Sequence, residues 1–142
     1  MSECIFCAIV RGELPASRVY EDEHTLAFMD LRQPNPGHVL VICKQHADMV
    51  YELDDEQAGA VFRTAAKVAR AVKATYQPDG LNLWQSNGRA AGQEVPHFHI
   101  HVFARKQGDE LFKVYNYPPP ATPREALEEM AERIRASLDG RG

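Results

Sequence analysis

The segment EVPHFHIHVF, residues 94–103, limits the folding options of this chain more than any other stretch. Three of its six histidines, His97, His99 and His101, stand at every second position, with Phe98, Ile100 and Val102 completing the alternation. A period of two belongs to a β-strand, whose successive side chains point to opposite faces. The apolar set needs a core to lie against, so the histidines are expected to look toward something polar. At a rise of ~3.3 Å per residue, His97 and His101 lie ~13 Å apart along a straight strand. Metal–nitrogen bonds of ~2.0–2.1 Å cannot gather all three onto one ion. The three histidines therefore share at least two jobs. A solvated strand face that merely carries histidine is one alternative. An H-x-H metal site completed by a carboxylate and a further histidine from neighbouring strands is another.

The rest of the chain supplies partners for such a strand. SRVYED and HTLAFMD read as a short antiparallel pair, and LRQPNPGH as a loop punctuated by two prolines and Gly37. HVLVICK is an apolar, β-branched run suited to a strand covered on both faces. Between Asp54 and Tyr76 the period becomes helical, with a stripe of Ala58, Val61, Phe62, Ala65, Val68, Val72 and Tyr76. Asp54 is placed to cap that helix, with Gln57 as the partner in a capping box, and QPDG ends it. LNLWQSN reads as a further strand. The proline run YPPP precedes a last helix opened by Thr122, Pro123 and Glu125, with Leu127, Met130, Ile134 and Leu138 as its stripe. These elements predict an α+β fold with a mostly antiparallel sheet, a central helix and an extra C-terminal helix.

The chain has 142 residues, 44% of them hydrophobic, which suits one domain with a real core. A net charge of −4 argues against a broad basic face for nucleic acid. The opening MSECIFCAIVRGEL is a poor signal peptide, and no apolar run approaches the ~20 residues of a membrane span. Three cysteines, two of them in C-x-x-C, fit a disulfide-stapled secreted scaffold badly. A cytoplasmic setting without membrane or nucleic-acid partners is expected.

Chemistry enters through the loop before the histidines. NGRAAGQEV offers Gly88 and Gly92, where backbone can approach a ligand, and Asn87 and Gln93 as neutral donors. Donors beside imidazoles, without a lysine cluster, suit an anionic phosphorus centre attacked by histidine. Imidazole, with a pKa near ~6.5, is largely neutral and nucleophilic at cytosolic pH.

HFHIHVF matches the H-φ-H-φ-H-φ-φ pattern (φ apolar) at every position, and the chain thereby resembles the histidine triad (HIT) family. CIFCAIVRGELPASRVYEDEHTLAFMDLRQPNPGHVLVICKQH is similar to the opening of its Hint-like branch, so the likeness covers roughly residues 3–106. The resemblance implies a single HIT domain over residues 1–142, with a core at 3–106 and a helical extension at 122–139. It implies a nucleotide-binding hydrolase or transferase in which His99 attacks the α-phosphorus of a nucleoside phosphoramidate or adenylyl conjugate. The intermediate would be a nucleotidyl-histidine, released by water. His101 would contact phosphate oxygens or assist the leaving group, Gln93 would hold a phosphate oxygen, and His38 would buttress the triad. Asn87, Gly92 and Val95 would complete the phosphate side. Phe6, Ile9, Phe28 and Leu31 would line a slot for a purine nucleotide such as AMP, with Asp30 accepting from the ribose. The same apolar residues also read as plain core, and Asp30 as a turn former. Two-fold homodimers built on the central helix and sheet edges are expected.

Two departures stand out. Glu94 occupies a position where many relatives carry a phosphate-donating serine, and Cys43 replaces a common proline and reads as a buried small hydrophobe. Dinucleoside polyphosphate hydrolysis, as in the Fhit-like branch, and a nucleotide-binding scaffold with little turnover are the competing functions. CIFC points away from the former. Its spacing suits two thiolates of a closed zinc site better than a redox pair, which needs a strand before it. In the Hint-like branch with this feature, the ligands match Cys4, Cys7, His46 and His97, which makes the cofactor a structural zinc.

Overall fold

The computed structural model describes residues 4–111 and 120–139. Glu3 and most of the proline run at 117–120 lie outside the described residues. Five strands, β1 (Arg18–Glu21), β2 (Thr25–Met29), β3 (Val39–Cys43), β4 (Gly80–Trp84) and β5 (His99–Arg105), form one sheet in the order β1-β2-β3-β5-β4. Every pairing is antiparallel, and the fold is α+β as the periodicities predict. Helix α1 (Ile5–Val10) precedes the sheet and helix α2 (Asp55–Tyr76) joins β3 to β4. The short helix α1 has no periodic signature in the sequence.

Strand β3 fixes the architecture because all five of its residues are buried. Its alternating side chains feed two separate cores. Val39, Val41 and Cys43 join Ala27, Ile100, Val102 and Ala104 against α2, through Val61, Ala65, Val68 and Val72. Leu40 and Ile42 join Leu26 and Phe28 on the opposite face, beneath Phe6 and Ile9 of α1. The register sets Ile42 beside His99 and Leu40 beside His101. The histidine face is therefore an apolar face with imidazoles set into it, rather than the polar face expected from alternation alone.

Helix α2 begins as the sequence predicts. Asp54 accepts from the Gln57 amide at 2.8 Å, while the Gln57 side chain accepts from the Asp54 amide at 3.1 Å. It ends at Gln77, whose left-handed backbone (φ 47°) lets its amide bond the Lys73 carbonyl. Two members of the expected stripe turn outward, since Phe62 is 58% and Tyr76 46% exposed. Thr64 takes the inward position and shares a buried 2.7 Å hydroxyl hydrogen bond with Thr25. That bond lets a polar pair sit in the core without an unmet donor.

Residues 4–109 belong to one compact unit, and a second unit begins at Glu110. In the second, helix α3 (Arg124–Asp139) carries Leu127, Met130, Ile134 and Leu138 along one side. Among the described residues no helix is long and apolar enough to cross a membrane.

Among the described glycines, Gly37 has the closest neighbours. Its φ is +102°, and a Cβ there would sit 2.9 Å from Cδ2 of Tyr76 and 3.2 Å from Cγ1 of Val72. Gly37→Ala adds backbone strain and overpacking together, so a loss of about 2 kcal/mol is expected. Urea denaturation measures it, and an unchanged midpoint would contradict the close approach.

Candidate active site and metal centre

Two groups of side chains meet where β5 begins. The first surrounds the start of α1. Cys4 caps that helix, its sulfur accepting from the Cys7 amide at 3.3 Å, so the turn holds both sulfurs on one side. His46 follows β3, and His97 sits in a bend just ahead of β5 rather than within the strand. His97 Nδ1 lies 3.2 Å from Cys4 Sγ, 3.5 Å from Cys7 Sγ and 3.2 Å from His46 Nδ1. Cys7 Sγ lies 3.2 Å from His46 Nδ1, and the four ligand atoms all fall within 4.8 Å of one another.

The hydrogen bonds on the far sides of both rings decide what this cluster is. His97 Nε2 donates to the Cys43 carbonyl at 2.7 Å, and His46 Nε2 donates to the Asp48 carboxylate at 2.5 Å. Both Nδ1 atoms then carry lone pairs that face each other and two sulfurs. With both sulfurs as thiolates, four electron donors this close repel unless a cation lies between them. Burial, then the hydrogen bond and charge of neighbouring Cys4, push Cys7 up to about 11. Tetrahedral zinc with two nitrogens and two sulfurs separates its ligand atoms by about 3.3–3.8 Å. The chain's residues fit that ion, and the outward N–H bonds are those that orient metal-binding imidazoles.

The second group lies along the face of β5. His99 is buried, 8% exposed, with its ring edge-on to Phe6 at 5.2 Å between centroids. Its Nδ1 donates to the His97 carbonyl at 2.6 Å, which leaves Nε2 with the lone pair. Burial lowers its pKa, opposed by that bond and by the charges of Asp30 and Glu94. The ring is consequently neutral at neutral pH. His38, also buried, donates Nδ1–H to the Arg32 carbonyl at 3.2 Å. Its Nε2 accepts from His101 Nδ1 at 2.8 Å and lies 3.6 Å from Asp30 Oδ2. His101 thereby presents Nε2 as an acceptor. Burial, then the neighbouring His99 and His38, pushes its pKa down to about 4.

The other expected site residues fall in different places. Phe6, Ile9 and Phe28 are buried at 6%, 7% and 4% exposure and form core beneath the histidines, the second of the two readings their positions allowed. Val95 packs against the same cluster. Leu31 is fully exposed, so none of the described residues packs over it. Asp30 forms the turn that was one of its two readings, with Oδ1 accepting from the Arg32 amide at 2.8 Å and Oδ2 facing His38. Gln93 and Asn87 are committed to the loop itself. Gln93 accepts from the Gly88 amide at 2.7 Å and donates to the Asp48 carbonyl at 2.6 Å. Asn87 accepts from the Val50 amide at 2.7 Å and pairs with Gln85. The Gly92 amide bonds the Arg89 carbonyl in a turn that requires its φ of +92°. A cavity of about 770 Å³ opens beside this loop, lined in part by Met49, Arg89, Gln93 and Glu94.

Sequence reasoning missed Asp48, although its place two residues after His46 in QHAD is a usable signal. It also missed the carbonyls of Cys43, Arg32 and His97, which leave no mark on residue identity.

A family model described as HIT domain matches residues 11–108. The chain is 34% identical over 135 residues to adenosine 5'-monophosphoramidase hnt1 of Schizosaccharomyces pombe, covering 95% of this chain and 98% of that protein. The crystal structure of a HIT family member from Bacillus subtilis superposes with a TM-score of 0.88 at 40% identity, covering 95% of this chain and 96% of that one. A zinc-bound histidine triad family protein from Mycobacterium smegmatis gives a TM-score of 0.72 at 36% identity, covering 98% and 97%.

Two expectations follow from this geometry. Protein purified under reducing conditions without chelator should carry about one metal ion per chain. Replacing both Cys4 and Cys7 by Ser should abolish that and destabilise the fold by about 3 kcal/mol or more. Elemental analysis and thermal melts check it; a metal-free wild type would contradict the cage. The second concerns acid. His101 binds its proton near 4 when folded but near ~6.5 when unfolded. Its stabilising effect is therefore complete above about pH 6.5 and is lost as pH falls toward 4, at up to ~1.4 kcal/mol per pH unit. Wild type should lose stability more steeply over that window than His101→Gln, and equal slopes in urea titrations would refute the assignment.

Proposed function

The chain belongs to the HIT domain family, and we propose that it is a nucleotide-binding hydrolase or transferase that cleaves nucleoside phosphoramidates or adenylyl conjugates at the α-phosphorus. The observation that carries this reading is the tautomer of His99. A buried imidazole whose Nδ1–H is held by a carbonyl at 2.6 Å offers one lone pair in one direction, as a nucleophile must. The name of the fission-yeast relative, an adenosine 5'-monophosphoramidase, supports the substrate class.

In this mechanism Nε2 of His99 bonds to phosphorus as the bond from phosphorus to the leaving nitrogen breaks. The amine departs with a proton taken from solvent. The histidine adduct keeps its Nδ1–H and so bears a positive charge, which the charges of Asp30 and Glu94 favour. Water then attacks phosphorus, the bond to Nε2 breaks, and the nucleoside monophosphate leaves. The free Nε2 of neutral His101 serves as acceptor for the proton of that water. His38 keeps His101 in this tautomer. Asp30 retains one carboxylate oxygen for the ribose. Gln93 and Asn87 shape the phosphate loop, with Gly92 at its turn. Phe6, Ile9, Phe28 and Val95 back the nucleoside, and Leu31 flanks it from the surface.

The cage of Cys4, Cys7, His46 and His97 we assign to zinc, whose role is to cross-link α1 to the segments after β3 and before β5. The zinc in the mycobacterial neighbour supports this. We assign residues 1–142 to one HIT domain whose extension is the helix within 122–139. A homodimer is proposed from the outward Phe62 and Tyr76 of α2 and the exposed Trp84 of edge strand β4. The three cysteines are free, which suits a reducing cytoplasm.

His99→Ala should lower turnover by roughly three orders of magnitude or more while nucleotide binding persists. Rapid-quench assays with calorimetry separate the two, and wild-type turnover in the variant would remove the nucleophile. The carboxylate of Glu94 beside the loop cavity should also disfavour polyanionic leaving groups. An adenylyl-amine conjugate should then exceed diadenosine tetraphosphate in kcat/KM at fixed salt. The reverse order would favour polyphosphate hydrolysis instead.

A further inference from the structure

We infer that the metal cage sets the catalytic geometry through two main-chain carbonyls, those of His97 and Asp48, and that Asp48 is a positioning residue for the reaction. The inference rests on the reading of His99 as nucleophile. Each carbonyl belongs to a residue whose side chain is part of the cage or bonded to it. The His97 ring supplies a cage nitrogen, and its carbonyl takes the Nδ1–H of His99 at 2.6 Å. The Asp48 carboxylate holds the Nε2–H of ligand His46, and its carbonyl takes the Gln93 side-chain amide at 2.6 Å.

Two further hydrogen bonds stitch the segment after β3 to the residue before β5 and to the phosphate loop. The Phe98 amide donates to the Ala47 carbonyl at 2.7 Å, and the Val50 amide to Asn87 at 2.7 Å. The other end of Gln93 takes the Gly88 amide at 2.7 Å. Glu52 receives the amides of Asp48 and Met49, both at 3.0 Å, so this segment has little freedom of its own. Its position follows His46. A cation in the cage would hold together the two Nδ1 atoms, which lie 3.2 Å apart here, and so keep both carbonyls aimed. Without one, the lone pairs repel, the rings separate, and each ring carries its carbonyl with it. His99 then loses the acceptor that fixes its tautomer, and Gln93 loses one of its two anchors.

The test uses full-length protein labelled with 15N-histidine. Two-bond 15N–1H spectra report the His99 tautomer, and calorimetry reports AMP affinity, in the zinc-loaded form and after chelation under reductant. Loaded protein should show the Nδ1–H tautomer alone, whereas the metal-free form should show a mixture and bind AMP about tenfold more weakly. Asp48→Ala should lower zinc affinity by about 10- to 100-fold and, at saturating zinc, still bind AMP several-fold more weakly than wild type. Asp48→Asn keeps an acceptor oxygen and should recover most of both losses. A folded metal-free protein with the same tautomer and the same AMP affinity overturns the inference. Should the metal-free chain unfold, Asp48→Ala at saturating zinc decides it, and AMP affinity equal to wild type overturns it. Turnover of the loaded protein is measured apart from these. Its absence would sink the enzymatic reading, while the tautomer would still report the coupling.

Discussion

A fully buried imidazole must find partners for both of its nitrogens, and in this protein the ring of His97 finds them in two different parts of the structure. Its Nε2–H bonds the carbonyl at the end of β3, and its Nδ1 faces Cys4, Cys7 and His46. Its own carbonyl takes the proton of His99. One residue thereby joins the helix before the sheet, the strand at the sheet's centre and the side chain with the reactive lone pair. Most of the local order at this end of the fold depends on that junction. Removing the ring would leave the Cys43 carbonyl, two sulfurs and a second imidazole without their common partner.

The chemistry of the histidine face comes from the character of the surface it sits in. His99 and His101 stand beside Ile42 and Leu40 on a face whose other members are Leu26, Phe28, Phe6 and Ile9. Such surroundings disfavour charged imidazole, and burial is the main cause of the lowered pKa at His38, His99 and His101 alike. Main-chain carbonyls then choose which nitrogen of His38 and His99 keeps the hydrogen, and the His38 ring passes that choice to His101. Neutrality and orientation are thus set separately, the first by apolar packing and the second by backbone geometry. A solvated strand face could provide neither.

The same division accounts for what the sequence does not show of its side chains. Gln93 and Asn87 look like ligand donors because amides beside glycines suit an anion. In the fold both also anchor their loop, with partners at Asp48 and Val50 that lie far away in sequence. Phe62 and Tyr76 fit the helical stripe of α2 by spacing, yet face outward. The sheet's inner surface takes the row of Val61, Thr64, Ala65, Val68 and Val72 instead. Polar Thr64 could displace Phe62 from that row because Thr25 waits opposite with a hydroxyl.

By itself the sequence determined whatever depends on local periodicity and short-range chemistry. That covers the five strands, the extent and capping of α2, the alternation that places His99 and His101 on one face, and the family pattern HFHIHVF. It also marked Cys4 and Cys7 as a pair, because the C-x-x-C spacing suits two thiolates of one zinc site. Only the tertiary structure decided that His97 sits in a bend ahead of the strand, that the histidine face is apolar, and that Asp48 stands behind His46. The reason is physical. A side chain's neighbours across a sheet and the carbonyls that meet its ring are set by how distant segments pack, and a carbonyl has the same chemistry whatever residue bears it. No reading of residue types can therefore say which nitrogen of a histidine will be left to react.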